Sequence, residues 1–176
     1  MAIAIALSIY FYYLSFRKKK KPRINSIYTD ALNAMVNGDL NNAIALLKQV
    51  VKQDSNHVRA YLQLGNILRK DNPEQALKIH QSLTVRPNLS RNIQVDIHAA
   101  LADDYRLISN YKKAKEEAKL VLKIEKRNLW ALKFLINISV ENQDWEGAIG
   151  WTKQLNKVAG KKTSEDEAKF DVFRGL

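Results

Sequence analysis

Cysteine is absent from the 176-residue chain, proline occurs three times and glycine six times. Without thiols, disulfides, cysteine-type zinc sites and thiol catalysis are excluded within this chain, and a reducing compartment is allowed. The scarcity of proline and glycine, with long spans that lack period-two alternation, excludes a strand-rich fold and points to helices. Acidic residues are also few, 18 against 29 Lys and Arg, for a net charge of +11. Catalytic patterns are missing too. His57, His80 and His98 have no His-Glu-x-x-His spacing, and there is neither a Gly-rich phosphate loop nor a Gly-x-Ser-x-Gly elbow. His80 and His98 read as structural histidines facing the core or a neighbouring helix. Asp103-Asp104 and Glu116-Glu117 are adjacent on helices, so their side chains diverge; they read as solvated helix faces, not as a shared acid/base site. No enzyme activity, metal or cofactor is expected of this chain.

What is present is a recurrence. Ala43, Ala76, Ala114 and Ala148 stand 33, 38 and 34 residues apart, each in the second half of a helix-turn-helix pattern. In the first unit Ile27, Ala31, Ala34 and Met35 form one helical stripe, Asn37-Gly38-Asp39 interrupts it, and Ala43, Leu46, Leu47, Val50 and Val51 continue on a second helix. The next unit has Leu64-Gly65 before the turn and Ala76, Ile79 and Leu83 after it, with Pro73 in the first turn of the second helix, where a missing N–H costs nothing. Leu101, Ala102 and Tyr105 precede Asn110-Tyr111 in the third, and Leu132, Leu135 and Ile136 precede Asp144-Trp145 in the fourth. Pro87-Asn88-Leu89-Ser90 reads as a longer turn between units. A period near 34 with a small residue in the second helix predicts tetratricopeptide repeats, helix pairs that bury their apolar faces by stacking. The expected fold is an all-α, right-handed superhelix of about four pairs, with repeats over 24–56, 57–90, 91–127 and 128–160. The spacing Ser164-Glu165-Asp166-Glu167 suits a capping box, so a further helix is expected over 163–176.

The N-terminus differs. Residues 1–16 contain no charge, and Arg17, Lys18, Lys19, Lys20, Lys21, Pro22 and Arg23 follow at once. As a helix the uncharged stretch spans about 24 Å, short of a hydrocarbon core of about 30 Å, so snorkelling lysines or local thinning would assist. A cleavable signal peptide carries its positive charge before the apolar stretch, which is the opposite order. A transmembrane helix over 1–16 and a basic linker over 17–23 are therefore expected, and the positive-inside rule keeps the repeat domain, 24–176, in the cytoplasm. The linker holds +6 of the net +11 and suits anionic lipid head groups, at about 1 kcal/mol per basic residue near the surface. The remaining charges are mixed, with no stacking platform, so nucleic-acid binding is not expected.

Function is expected in the concave groove that the first helices of such repeats line. Projecting the inward positions picks out Tyr28 and Leu32 from repeat one, then Arg59, Leu62, Asn66 and Arg69 from repeat two. Repeats three and four supply Asp103, Arg106, Trp130, Lys133 and Asn137. Arg, Asn and aromatic residues together meet the needs of an extended peptide: hydrogen bonds to its backbone, charge pairing and an anchor. The two-carboxylate clamp of chaperone-tail receptors is not present. Asn66 occupies a clamp-like place, but Leu62 stands where the lysine belongs and Ala100 where the second asparagine belongs.

The stretches Leu64-Gly65-Asn66-Ile67-Leu68-Arg69 and Ile79-His80-Gln81, with ALADDYRLISNYKKAKEEAKLVL and DWEGAIGWTKQL, resemble the tetratricopeptide region of the lipopolysaccharide assembly protein B family. The resemblance extends over essentially the whole chain, including the uncharged start and its basic flank. It implies an inner-membrane anchor, cytoplasmic repeats and an adaptor role, in which a membrane-bound ATP-dependent protease is helped to degrade the deacetylase that commits to lipid A. Family members also carry a C-terminal rubredoxin-type zinc domain of Cys-x-x-Cys pairs. A chain without cysteine is then expected to be either a fragment lacking that half or a shortened relative. The alternative function is a structural assembly scaffold that oligomerises on the membrane through its repeats.

Overall fold

The computed structural model describes residues 24–160. Eight helices are present among them: α1 Ile24–Val36, α2 Leu40–Gln53, α3 Val58–Leu68, α4 Pro73–Thr84, α5 Arg91–Leu107, α6 Tyr111–Ile124, α7 Leu129–Glu141 and α8 Trp145–Ala159. The expected anchor over 1–16, the linker over 17–23 and the helix over 163–176 lie outside the described residues. Within the described residues no helix is long and apolar enough to cross a membrane.

The helices begin where the sequence supplies acceptors for their free N–H groups. Asn72, Asn110, Asn128 and Asp144 each accept from the backbone N–H three residues on, at the starts of α4, α6, α7 and α8, and His57 Nδ1 does the same for α3 at 3.1 Å. Such caps are each worth about 1 kcal/mol. Pro73 sits at the first position of α4, and Leu40, Tyr111 and Trp145 open the other second helices. The turns of three pairs share one left-handed residue, Gly38, Ser109 and Gln143, with φ of 76°, 58° and 56°.

The chain forms two compact units divided between Gln53 and Asp54. In the first, α1 packs on α2, with Ile27, Ala31, Ala34, Ala43, Leu47 and Val50 buried. In the second, each of α3 to α8 packs on its neighbour in sequence, and α3 also meets α5. A continuous core runs through this unit from Leu62 and Leu83 through Ile97, Leu101 and Tyr105 to Leu135 and Ile138. All four spaced alanines are fully buried, as the close approach of paired helices requires.

One expectation is corrected. Asp104 is not on a solvated face: it is completely buried, on the side of α5 that meets the preceding pair. His80 Nδ1 lies 2.5 Å from its Oδ2, and Arg69 Nε donates to its Oδ1 at 2.5 Å. His80 on α4 and Arg69, the residue after α3, thus hold both oxygens of the buried carboxylate. Glu117 is likewise only partly exposed and accepts from His98 Nδ1 at 2.7 Å, across α5 and α6. His80 and His98 themselves are partnered histidines within the helix stack, as expected from the sequence.

Candidate functional site: a cavity on the first helices

A cavity of about 470 Å³ is lined by Leu62, Gln63, Asn66 and Arg69, by Asp96, Ala99, Ala100 and Asp103, and by Trp130. The first group comes from α3 and the residue that ends it, the second from α5 and the third from α7. Every contributor belongs to the first helix of a pair. The periodicity of α5 explains its share: Asp96, Ala99, Ala100 and Asp103 follow the i, i+3, i+4, i+7 rule and fall on one stripe. Ala99 and Ala100 carry only methyl groups, which leaves the space between the two aspartates open.

Arg69 organises the floor. Besides Asp104, its guanidinium donates through Nη2 to Asn66 Oδ1 at 2.9 Å and to the Ala100 carbonyl at 3.1 Å. Its Nη1 is 3.7 Å from Asp103, beyond good hydrogen-bond range. Beneath it His80 is pinned at both ring nitrogens, by Asp104 and, at 3.2 Å, by the Leu62 carbonyl. Gly65 makes room for that ring: a Cβ there would fall 2.7 Å from Cε1 and 2.9 Å from Cδ2 of His80. From α7 the lining gains Trp130, partly exposed and stacked on buried Phe134 with ring centroids 5.1 Å apart.

The cavity's acids are disturbed by their surroundings. Burial pushes the carboxyl of Asp103 above its ordinary range, with Arg69 and Arg106 acting against that rise. Asp96 is also raised, chiefly by burial, with Arg59 opposing. In both, loss of water outweighs the attraction of the arginines nearby. Outside the cavity Asp144 is held low by the hydrogen bond from Lys115 Nζ at 2.7 Å and by the Gly147 N–H.

Of the residues projected into the groove, the structure brings Leu62, Asn66, Arg69, Asp103 and Trp130 together around this cavity. Arg59, Lys133 and Asn137 are exposed on α3 and α7 outside it. Arg106 is paired with Glu141 at 3.0 Å, and Tyr28 and Leu32 lie in the first unit. Arg69 carries a packing role that the sequence projection did not contain. Gln63, Asp96 and Ala99 line the cavity beyond the residues projected from the sequence, as does Ala100, which the sequence marks only as a departure from the carboxylate clamp. For those on α5 the signal is the period of that helix, Arg91–Leu107, read backwards from Asp103. Among the described residues no group of three His, Asp or Glu side chains is placed to hold a metal.

No protein-family model matches the chain. It is similar to lipopolysaccharide assembly protein B of Escherichia coli K12, with 24% identity over 174 residues, 97% of this chain and 45% of the relative. The protein of that name from Haemophilus influenzae is 24% identical over 85% of this chain and 41% of its own length. The chain thus spans less than half the length of the curated relatives it matches. Among solved structures it is similar to MamA from Desulfovibrio magneticus, with a TM-score of 0.66, 17% identity and coverage of 84% of this chain and 80% of that one. A tetratricopeptide repeat protein from Parabacteroides merdae gives a TM-score of 0.67 at 17% identity, over 79% and 54%. The fold is that of tetratricopeptide repeat proteins, and the resemblance read from the sequence is a homology to the lipopolysaccharide assembly protein B sequences.

Proposed function

We infer, from this homology and from the cavity, that the chain is an adaptor that holds protein partners on the face of its first helices, at the cytoplasmic side of an inner membrane. The observation that carries the binding role is the origin of the cavity: α3, α5 and α7 supply all of its lining and the second helices none. Such a surface offers an aromatic anchor, amides for a peptide backbone and fixed charge within one concavity. The uncharged residues 1–16 and the basic residues 17–23 support anchoring on a membrane with anionic lipids. Homology supports a role in lipopolysaccharide homeostasis, where the adaptor brings a membrane-bound ATP-dependent protease to an enzyme of the lipid A pathway. No catalytic role is proposed, and no cofactor within this chain.

Affinity capture from solubilised membranes tests this reading. The parent chain is expected to recover an envelope-synthesis enzyme or protease subunits, and Trp130→Ala to lose them without loss of helicity. Recovery undiminished by Trp130→Ala would remove the groove from the account. A second reading, self-assembly on the membrane, draws on Leu107, Ile108 and Val140, which are large, apolar and exposed near the helix ends of the second unit. Light scattering on residues 24–176 separates the two: a monomer disfavours assembly.

A further inference from the structure

Arg69 is the only cationic side chain among the cavity's lining, and it is spent on the protein itself. Its Nε and Nη2 serve Asp104, Asn66 and the Ala100 carbonyl, and the other oxygen of Asp104 is taken up by His80. The lining thus sets two aspartates, Asp96 and Asp103, against one arginine that reaches Asp103 only at 3.7 Å, with Arg59 and Arg106 nearby but outside the lining. The two aspartates lie seven residues apart on α5, two turns or about 10 Å along its axis. Asp96 takes part in no ion pair among the described residues. The same cavity is lined by Trp130, whose side chain is exposed and stacked on Phe134. An indole face beside carboxylates suits a cation, through ring quadrupole and charge together. All this sits in a chain with a net charge of +11, so the cavity's sign runs against that of the molecule and selects a partner by local complementarity.

We propose that this cavity takes a lysine or arginine side chain from an extended segment of a protein partner, with its charged head between Asp96 and Asp103 and against Trp130. Gln63 and Asn66 then serve the flanking backbone. The proposal rests on the reading of this face as the partner-binding groove and names the chemistry that the groove selects. Partial burial of Asp103 supports it: desolvation holds that carboxyl above its ordinary range, a cost that an incoming cation relieves, while Asp96 lies exposed on the same stripe of α5.

The test uses the full chain in detergent and two peptides, acetyl-Ser-Leu-Arg-Leu-Ser-amide and its citrulline counterpart, which keeps the shape and lacks the charge. Titration is followed by the Trp130 indole NMR signal, identified with Trp130→Phe. The arginine peptide is expected to move that signal and to bind at least about tenfold more tightly than the citrulline peptide, a difference of about 1.4 kcal/mol. Asp96→Asn with Asp103→Asn should abolish the preference while the melting temperature stays equal or rises. Equal binding of both peptides to the parent overturns the cation assignment and leaves the groove reading intact. A preference that survives the double substitution overturns the assignment to these carboxylates. No response at Trp130 to either peptide overturns the proposal too, and membrane capture with Trp130→Ala then decides the groove reading separately.

Discussion

Gly65→Ala is the substitution in which two physical effects of known sign meet most directly. In a free helix, alanine is favoured over glycine by about 1 kcal/mol. Here the added methyl would collide with the His80 ring, which is fully buried and held at both nitrogens by Asp104 and the Leu62 carbonyl. The ring cannot swing aside without breaking one of those bonds. Overpacking costs about 1–3 kcal/mol, and each buried polar group left unpaired costs about 1–3 kcal/mol. The net loss is about 1–5 kcal/mol, or a melting temperature lower by about 2–20 °C, read by circular dichroism at 222 nm. Repeating the change in a His80→Ala background removes the obstacle, so Gly65→Ala there should be neutral or stabilising by up to about 1 kcal/mol. The reasoning is refuted if Gly65→Ala melts at or above the parent, or if it has the same sign and size in both backgrounds.

Arg69→Ala should destabilise by about 3–5 kcal/mol, because it strips a partner from the buried Asp104 carboxylate; Arg106→Ala, which opens an exposed pair with Glu141, should cost under about 1 kcal/mol in the same denaturation assay. Ala114→Leu, at a fully buried position, should overpack the α5–α6 pair and cost about 1–3 kcal/mol, with equal stability to the parent refuting the close-approach role of the spaced alanines. Gln143→Gly should stabilise by about 1 kcal/mol, since φ there is 56° and a side chain strains the left-handed region. Asp144 has a lowered folded-state value, so its pairing stabilises the fold above the ordinary carboxylate range and is lost as pH falls through that lowered value. Lys115→Met should flatten that part of the stability profile against pH.

The helical class, the pairing and the turns were legible because they depend on local pattern. Spaced alanines mark close approaches, Asn-Gly-Asp and its counterparts mark turns, and Pro73 marks a first turn, all within a few residues of the structure they specify. The interior of the site was less legible, because it depends on partners a full repeat away. Asp104 beside Asp103 looks like half of a solvated pair until Arg69, 35 residues earlier, is seen to reach it. The same separation joins Arg106 to Glu141, so a trace of the contact was present as a repeat-length pairing of opposite charges. Pairing at that distance carries no sign of which acid is buried; the face of α5 that meets α3 and α4 decides it. Asp96 shares the α5 stripe with Asp103 by helical period alone, but that it lines a cavity depends on α3 and α7, which its own helix does not encode.

The central claim, that partners are held on the first-helix face, is tested most directly by site-specific photocrosslinking in intact membranes. A photoreactive residue replaces Trp130 in one chain and Lys112, exposed on the second helix α6, in another. Adducts with an envelope-synthesis enzyme or protease subunits from position 130, and none from position 112, are the predicted result. The same adducts from position 112 with none from position 130 would contradict the account.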